Sequence, residues 1–582
     1  MIKPKKTLAN IEPYSIDEFY TKFDLKLDSN ENPYGPSDAV ICAIRNFEVD
    51  KIKFYPAYGE LINKLAAQIG AKKENFILTN GCDEAINAVL NTYLDVGDEV
   101  LSFSPTFSMP ILYTNVIGAQ FKEIPYKIKW NFTYDDYIQN INKETKIIYI
   151  TSPNNPTGEI VPTETVKKLL ENFQDKLVIL DCTYINFSKI DKMEYYSLVK
   201  EFDNLVILKS FSKDFALAGF RLGYIYSNEK NIEQIKKVTS PYNVNAAATI
   251  AGLAALSDLE YFNKTIQKIK NSRDRLYGEI KALGFNAINT EANFILVDFG
   301  EKRDFIYQKL LNNNIKVKYF KSGELNGYFR ITAPREEDVD NFLKVLKIKP
   351  LLVFDMDGVL FDVQNSYRAA IKKTFEHFAK KTIDDEEIQA VKNMGGMSND
   401  WKVTEYLLIK NGVNVEYEKI TEVFQNLFFN PENIGQKGLI DNEEIVFDKN
   451  FFEKIKADYD CAIFTGRPRE EAFHSLKNYD IKKYFSFFIC NEDVPNDPKP
   501  SPKGLEIIKK HCLYSDIFYF GDTVDDIEAG KRANVKTFGI IPPNAKSINE
   551  TKEKLIEFGA DGVFENPDEI IEKFLAKDVL CK

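Results

Sequence analysis

The sequence predicts an α/β protein made of two successive units, each built on a mostly parallel sheet, with a small α+β part closing the first. Three observations predict it. Short apolar runs such as "KIIYITS", "LVILD" and "NLVILKSFS" alternate with longer segments at helical spacing, such as "TETVKKLLENF" and "NIEQIKKV". After "EEDVDNFLKVLK" a fresh apolar run, "PLLVFDMDG", restarts the alternation. The 582 residues also exceed what one hydrophobic core supports. The expected boundary falls at "KIKP", giving units 1–347 and 348–582, and so short a junction excludes a long separable tether.

Within the first unit the rhythm weakens at "PYNVNAAATIAGLAALSD", which reads as a buried helix, and "YFNKTIQKIKNSRDRLYGEIKALG" reads as a long amphipathic one. The α+β part is therefore expected over roughly 245–347. In the second unit, residues 363–450 are helix-rich and strand signals resume at "CAIFTG", the pattern of a core domain carrying a helical cap.

A formal charge of −11 argues against a sequence-independent nucleic-acid binder, which needs a basic face to displace counterions. Seven scattered cysteines without a CxxC pair indicate neither a disulfide framework nor a zinc site, so a reducing cytoplasm is expected. No apolar run reaches the ~18 residues of a membrane span. The three histidines, His377, His474 and His511, all lie in the second unit, so the first must do its chemistry without imidazole.

Four stretches of the first unit carry candidate chemistry. "ILTNGCDEAI" (77–86) reads as strand, glycine turn and helix start, which turns the amides near Cys82 and Asp83 outward as an anion site; ordinary strand–turn–helix junctions look the same. "SPNNPTG" (152–158) is a rigid turn by composition. "LVILDCTY" (177–184) ends a buried strand on Asp181, at the edge where open α/β sheets bind ligands. "LKSFSKDFALAGFRLGY" (208–224) places two serines, Lys213 and Arg221 after another strand.

In this order the set resembles the fold-type-I pyridoxal-phosphate aminotransferases, the histidinol-phosphate group above all, from "LDSNENPYGPS" (27–37) to "YFRITAPREEDVDNFL". The resemblance implies that Lys213 forms the Schiff base with pyridoxal 5'-phosphate and then moves the substrate proton, tasks suited to a lysine whose pKa is lowered by desolvation. It implies that Asp181 keeps the pyridinium nitrogen protonated and that Asn155 and Tyr184 bond the ring hydroxyl. Ser210, Ser212, Arg221 and the amides of Cys82 and Asp83 would hold the cofactor phosphate. Phe107 would stack on the ring, core packing being the alternative. Tyr55 would reach the cofactor of a neighbouring subunit, which implies a homodimer. Arg330 would grip the acidic group of the substrate. Lys318 stands where the histidinol-phosphate group has a second arginine; an ammonium neutralises phosphate but lacks the bidentate fork.

In the second unit, Asp355 and Asp357 end an apolar strand two residues apart, so both carboxylates face one site. Alone, Asp-x-Asp-Gly also fits a calcium-like loop or a simple turn. "AIFTGRP" (462–468), "DPKPSP" (497–502) and "YFGDTVDDIEAG" (519–530) follow in order. This series resembles the haloacid-dehalogenase-like phosphatases over 350 to about 570. It implies Asp355 as nucleophile, Asp357 as acid and base, Thr465 and Lys499 as phosphoryl-binding groups, and a Mg2+ ion held by Asp355, Asp357, Asp522 and Asp526. In the cap, "NMGGMSNDW" (393–401) is a candidate for leaving-group contacts, or a plain helix–helix turn.

Together the resemblances imply a bifunctional enzyme that aminates a small phosphorylated ketone from an amino-acid donor and then hydrolyses the amino-alkyl phosphate. A phospho-amino-acid decarboxylase feeding the same phosphatase, and a non-catalytic binding protein on a transaminase fold, are the alternatives. The intact Lys213 and Asp181 weigh against the last.

Overall fold

The computed structural model describes residues 2–8, 11, 23–125, 133–347, 349–392, 394, 399–429, 437–512, 514, 516–543, 545 and 547–575. The chain divides into two compact units, one of residues 1–300 and 314–344, the other of 301–313 and 345–582.

The first unit holds two sheets. The larger has seven strands in the order Phe76–Thr79, Gly223–Ser227, Leu205–Ser210, Leu177–Asp181, Thr145–Thr151, Glu99–Ser104 and Gln120–Pro125. Only Gly223–Ser227 runs antiparallel to its neighbours. Its central strands are covered on both faces, which is why they read as unbroken apolar runs rather than as alternation. The smaller sheet orders Leu25–Leu27, Ile315–Tyr319, Tyr328–Thr332, Phe294–Asp298 and Asn286–Ile288. Its first strand comes from the N-terminal "LKL" and pairs parallel to Ile315–Tyr319, a long-range pairing with no local sequence signal. The helices Ala246–Ala255 and Leu259–Ala282 match the buried and amphipathic readings of their sequences.

The second unit is built on six parallel strands ordered Phe485–Ile489, Asp460–Phe464, Leu351–Phe354, Ile517–Gly521, Lys536–Ile540 and Gly562–Phe564. Leu351–Phe354 is central. From it the chain builds outward to one side and then, from Ile517, to the other, so the strand order reverses beside it and leaves a crevice at the carboxyl ends. Between residues 364 and 428 lies the helical cap, with helices Ala369–Ala379, Asp385–Lys392, Asp400–Lys410 and Tyr417–Phe428 packed around Phe375, Leu407 and Phe424. A two-stranded ribbon, Phe361–Asp362 against Glu444–Ile445, carries the chain into the cap and back. Phe451 and Phe452, just past the expected cap of 363–450, pack in the core cluster of this unit, whereas Ile440 still packs with the cap.

Helix Arg303–Asn312 belongs to this second unit although the chain on both sides of it belongs to the first. Buried Lys309 pairs with buried Asp460 at 2.6 Å, and Asn312 Nδ2 donates to Phe485 O at 2.8 Å.

Candidate active sites

In the first unit, candidate residues gather where the strands of the large sheet end. Asp181 closes one strand and Ser210 the next, in parallel register. Asp181 is buried, and its carboxylate accepts from Tyr149 Oη at 3.2 Å and from the Thr183 amide at 3.0 Å. Burial pushes its pKa up, against the pull of those donors and of Lys209. A buried carboxylate in this position calls for a cationic partner, and a protonated pyridinium nitrogen is one.

Lys213 follows the Ser210 strand, and its Nζ donates to Ser29 O at 2.7 Å. Burial first, then the Arg330 cation, lowers its pKa to about 8. About a tenth of the amine is therefore neutral, and nucleophilic, at pH 7, several hundred-fold or more above the share in an ordinary lysine. Two residues beside it were not singled out in the sequence. Lys209 and Asp214 form a fully buried ion pair at 2.5 Å, while Lys209 also donates to Thr183 O and Asn186 donates to Asp214. Together they pin both ends of the Lys213 loop. Their one sequence signal was a charge inside the apolar run "NLVILKSF".

At the other edge, helix Gly81–Tyr93 presents its N-terminus. Gly81 has φ +79°, and a Cβ there would collide with the Arg221 guanidinium. Arg221 donates to Asp83 Oδ2 at 3.0 Å and to Ser212 Oγ at 3.5 Å, and the Ser212 amide donates to Ser210 Oγ at 3.1 Å. Hydroxyls, a guanidinium and a helix N-terminus thus converge, with Cys82 buried in the first turn, as an anion cradle that fits a cofactor phosphate.

Arg330 Nη1 donates to Asn155 Oδ1 and its Nη2 to Asp28 O, both at 2.6 Å. Tyr184 Oη accepts from Asn30 Nδ2 at 3.0 Å. Phe107 is half-buried ahead of helix Ser108–Ile117 and packs on a cluster that includes Cys82. Tyr55 is exposed and stacks on Tyr242, ring centroids 4.2 Å apart.

In the second unit, Asp355 stands just past the central strand, its amide donating to Phe520 O. Asp355, Asp522 and Asp526 each bring a carboxylate oxygen within 4.8 Å of the others. Burial pushes the Asp355 pKa up to about 7, with Asp526 and Asp357 adding to the rise and Lys499 opposing it; burial and Asp526 raise Asp522 as well. Three crowded oxygen donors of one sign fit a hard divalent ion such as Mg2+. Gly358, at φ +72°, makes room: a Cβ would collide with the Asp522 carboxylate. Lys499 bridges Asp355 at 2.8 Å and Asp526 at 2.7 Å.

Two placements differ from the ligand set implied by the sequence. The Asp357 carboxylate is outside the three-acid cluster and is held by Arg467, whose Nε donates to Oδ1 at 2.6 Å. Asp526 also accepts from Tyr519 Oη, Thr523 Oγ1 and the Thr523 amide, so protein donors take much of its capacity. Thr465 is buried at the end of strand Asp460–Phe464, its Oγ1 accepting from the Arg467 amide. Of the stretch 393–401, residues 393 and 395–398 lie outside the described residues; Trp401 packs edge-on against Phe424 inside the cap.

The buried Asp181, a lysine of lowered pKa and an anion cradle fit a pyridoxal-phosphate-dependent transferase, and the same chain carries a second site where Asp355, Asp522 and Asp526 cluster. The comparisons agree. The model of aminotransferase class I and II matches residues 23–346, and that of haloacid dehalogenase-like hydrolase matches 352–540. The chain belongs to the class I and II aminotransferases and carries a haloacid dehalogenase-like hydrolase domain. Histidinol-phosphate aminotransferase 1 of Carboxydothermus hydrogenoformans is 37% identical over 348 residues, 59% of this chain and 97% of the relative. The histidinol-phosphate aminotransferase of Brachyspira hyodysenteriae is 32% identical over 348 residues, 58% of this chain and 96% of the relative. Among solved structures, histidinol-phosphate aminotransferase from Sinorhizobium meliloti in complex with pyridoxal-5'-phosphate shares the fold, with TM-score 0.52 and 24% identity, over 55% of this chain and 89% of that one. Among the described residues, no helix is long and apolar enough to cross a membrane.

Proposed function

We propose that the two domains act in sequence: the first aminates a small phosphorylated ketone from an amino-acid donor, and the second hydrolyses the phosphate of the resulting amine. The observation that carries this reading is the pairing of Lys318 with Arg330 on adjacent strands, two cations for an acidic substrate, in a chain that also holds a phosphatase domain. The names of the relatives point to imidazole-acetol phosphate and histidinol phosphate, and other ketone phosphates satisfy the same two cations.

Bound pyridoxal phosphate supplies the electron sink. Asp181 would balance the charge at the ring nitrogen, and the Gly81–Arg221 cradle would hold the phosphate. Asn155 and Tyr184 would bond the ring hydroxyl, and Lys213 would take and return the proton of the substrate carbon. In the second site Asp355 attacks phosphorus while the bond to the alcohol oxygen breaks, and Asp357 gives that oxygen its proton. Asp357 then takes a proton from water as the water attacks the aspartyl-phosphate, which releases inorganic phosphate and restores Asp355. Thr465 and Lys499 bear the charge on the phosphoryl oxygens, and Asp355 with Asp522 would hold Mg2+, which lowers the repulsion between nucleophile and phosphate. The exposed Tyr55, Phe54 and Tyr242 support a homodimer through the first unit. The free cysteines fit a cytoplasmic setting.

The test is a screen of ketone phosphates with glutamate as donor, using the Asp355→Asn variant. The phosphorylated amine of the true substrate should accumulate, and the native chain should convert it to the free alcohol. Phosphate release that proceeds unchanged in Lys213→Ala from the ketone itself would sink the coupled order.

A further inference from the structure

Arg467 is the largest fully buried side chain among the described residues, and no step proposed above uses it. It lies two residues beyond Thr465, in the segment "IFTGRP", and its guanidinium faces two carboxylates at once. Nε donates to Asp357 Oδ1 at 2.6 Å, Nη2 is in ion-pair contact with Asp357 Oδ1 and lies 2.8 Å from Glu443 Oε1, and Nη1 donates to Glu443 Oε2 at 3.1 Å and to Ser475 Oγ at 3.0 Å. Two rings flank the guanidinium, Tyr367 at 5.0 Å and Phe361 at 5.6 Å. A planar guanidinium has its donors in a fixed fork, so fixing its plane and one edge fixes the direction in which the other edge holds a carboxylate.

The origin of these contacts gives them meaning. Phe361 lies in the ribbon strand leading into the cap, Tyr367 in the first turn of the cap, and Glu443 just before the returning strand. Tyr367 is itself anchored to the core, its Oη donating to Glu471 Oε2 at 2.6 Å, and Gln425 of the cap donates to the same carboxylate at 2.8 Å. Ser475 and Tyr479 of the core bond Glu443 as well. Both connections between core and cap therefore meet at one guanidinium, whose remaining edge holds Asp357.

We propose that Arg467 is a positioning residue: it orients the Asp357 carboxylate toward the leaving-group oxygen, with Glu443 and the two rings of the cap connections setting its plane. The proposal rests on the assignment of Asp357 as the acid. An acid matters most for a poor leaving group and hardly at all for a good one, which separates positioning from general damage.

The experiment measures first-turnover release of alcohol from an alkyl phosphate and of p-nitrophenol from p-nitrophenyl phosphate, in the full chain with Mg2+. The native chain, Arg467→Lys, Glu443→Gln and Asp357→Asn are compared. Arg467→Lys keeps a buried cation for the two acids but loses the fork, so it preserves the fold where removal of the charge would not. The expected result is a loss of about 100-fold on the alkyl phosphate, against less than about 3-fold on the aryl ester, with KM nearly unchanged. Glu443→Gln should show the same selectivity to a smaller degree. Equal losses on both esters in Arg467→Lys, with Asp357→Asn still selective, would overturn the proposal. Lack of selectivity in Asp357→Asn would instead remove the acid assignment on which it rests.

Discussion

Lys318 and Arg330 are directly opposed in the antiparallel pairing of Ile315–Tyr319 with Tyr328–Thr332. Opposed residues in such a pair project from the same face, so two cationic side chains twelve positions apart in sequence share one surface. Arg330 is the fixed member, bonded to Asn155 and to Asp28 O. Lys318 is the more exposed one. Removing them should therefore have unequal effects. Arg330→Lys should raise KM for the phosphorylated ketone and lower kcat, because Asn155 loses its donor. Lys318→Met should raise KM alone, by about 10-fold, the scale of one charge-assisted bond. Steady-state kinetics on both variants checks this, and a kcat loss in Lys318→Met would contradict it.

Capture of the cofactor should depend on pH through Lys213. Its folded pKa lies near 8, below the ordinary 10.5, chiefly through burial and next through Arg330. The attacking form is the neutral amine, so the rate at which apo protein takes up pyridoxal phosphate should rise through pH 8 and level off above it. Arg330→Gln should move the midpoint upward. The same shift fixes the sign of the stability effect. Below pH 8 the folded protein carries the full penalty of a buried ammonium, which is relieved as pH rises from 8 toward 10.5, where the unfolded chain still binds the proton. Stopped-flow absorbance follows the uptake.

Magnesium should compete with protons at the second site. Asp355 has a folded pKa raised to about 7, so between its unfolded value of 3.8 and 7 the metal-free folded state holds a proton that the unfolded chain releases. Stability of the metal-free site thus falls as pH rises through this window. Affinity for the ion should drop about tenfold per pH unit below 7, and the rise in melting temperature on adding Mg2+ should be largest above pH 7 and small near pH 5. Calorimetry and thermal unfolding across that range measure both.

The buried pair Lys309–Asp460 should be costly to break and cheap to replace. Asp460→Ala leaves an ammonium buried without its carboxylate, a loss of ~3–5 kcal/mol, whereas Lys309→Met combined with Asp460→Leu should be nearly neutral. Denaturant unfolding of the single and double variants is the measurement. A mild effect of Asp460→Ala would mean that water reaches Lys309.

Much of the molecule was legible in sequence because its signals are local. Strand runs ending on Asp181, Ser210, Asp355 and Asp522 name the chemistry, since parallel strands buried on both faces are apolar until the residue where they emerge at the ligand edge. Lys213 and the Gly81 turn follow from the same rule. What only the tertiary structure decided are relationships between distant segments: the Leu25–Leu27 strand in the small sheet, the pinning of the Lys213 loop by Lys209 and Asp214, and helix Arg303–Asn312 in the second unit. Asp357 shows the difference most clearly. Its spacing from Asp355 put the two on one side of a strand, but the buried guanidinium of Arg467 holds its carboxylate, which lies outside the cluster of Asp355, Asp522 and Asp526. A residue's type and spacing are written in the chain, whereas the partner that neutralises a buried charge is chosen by which side chains packing brings within reach.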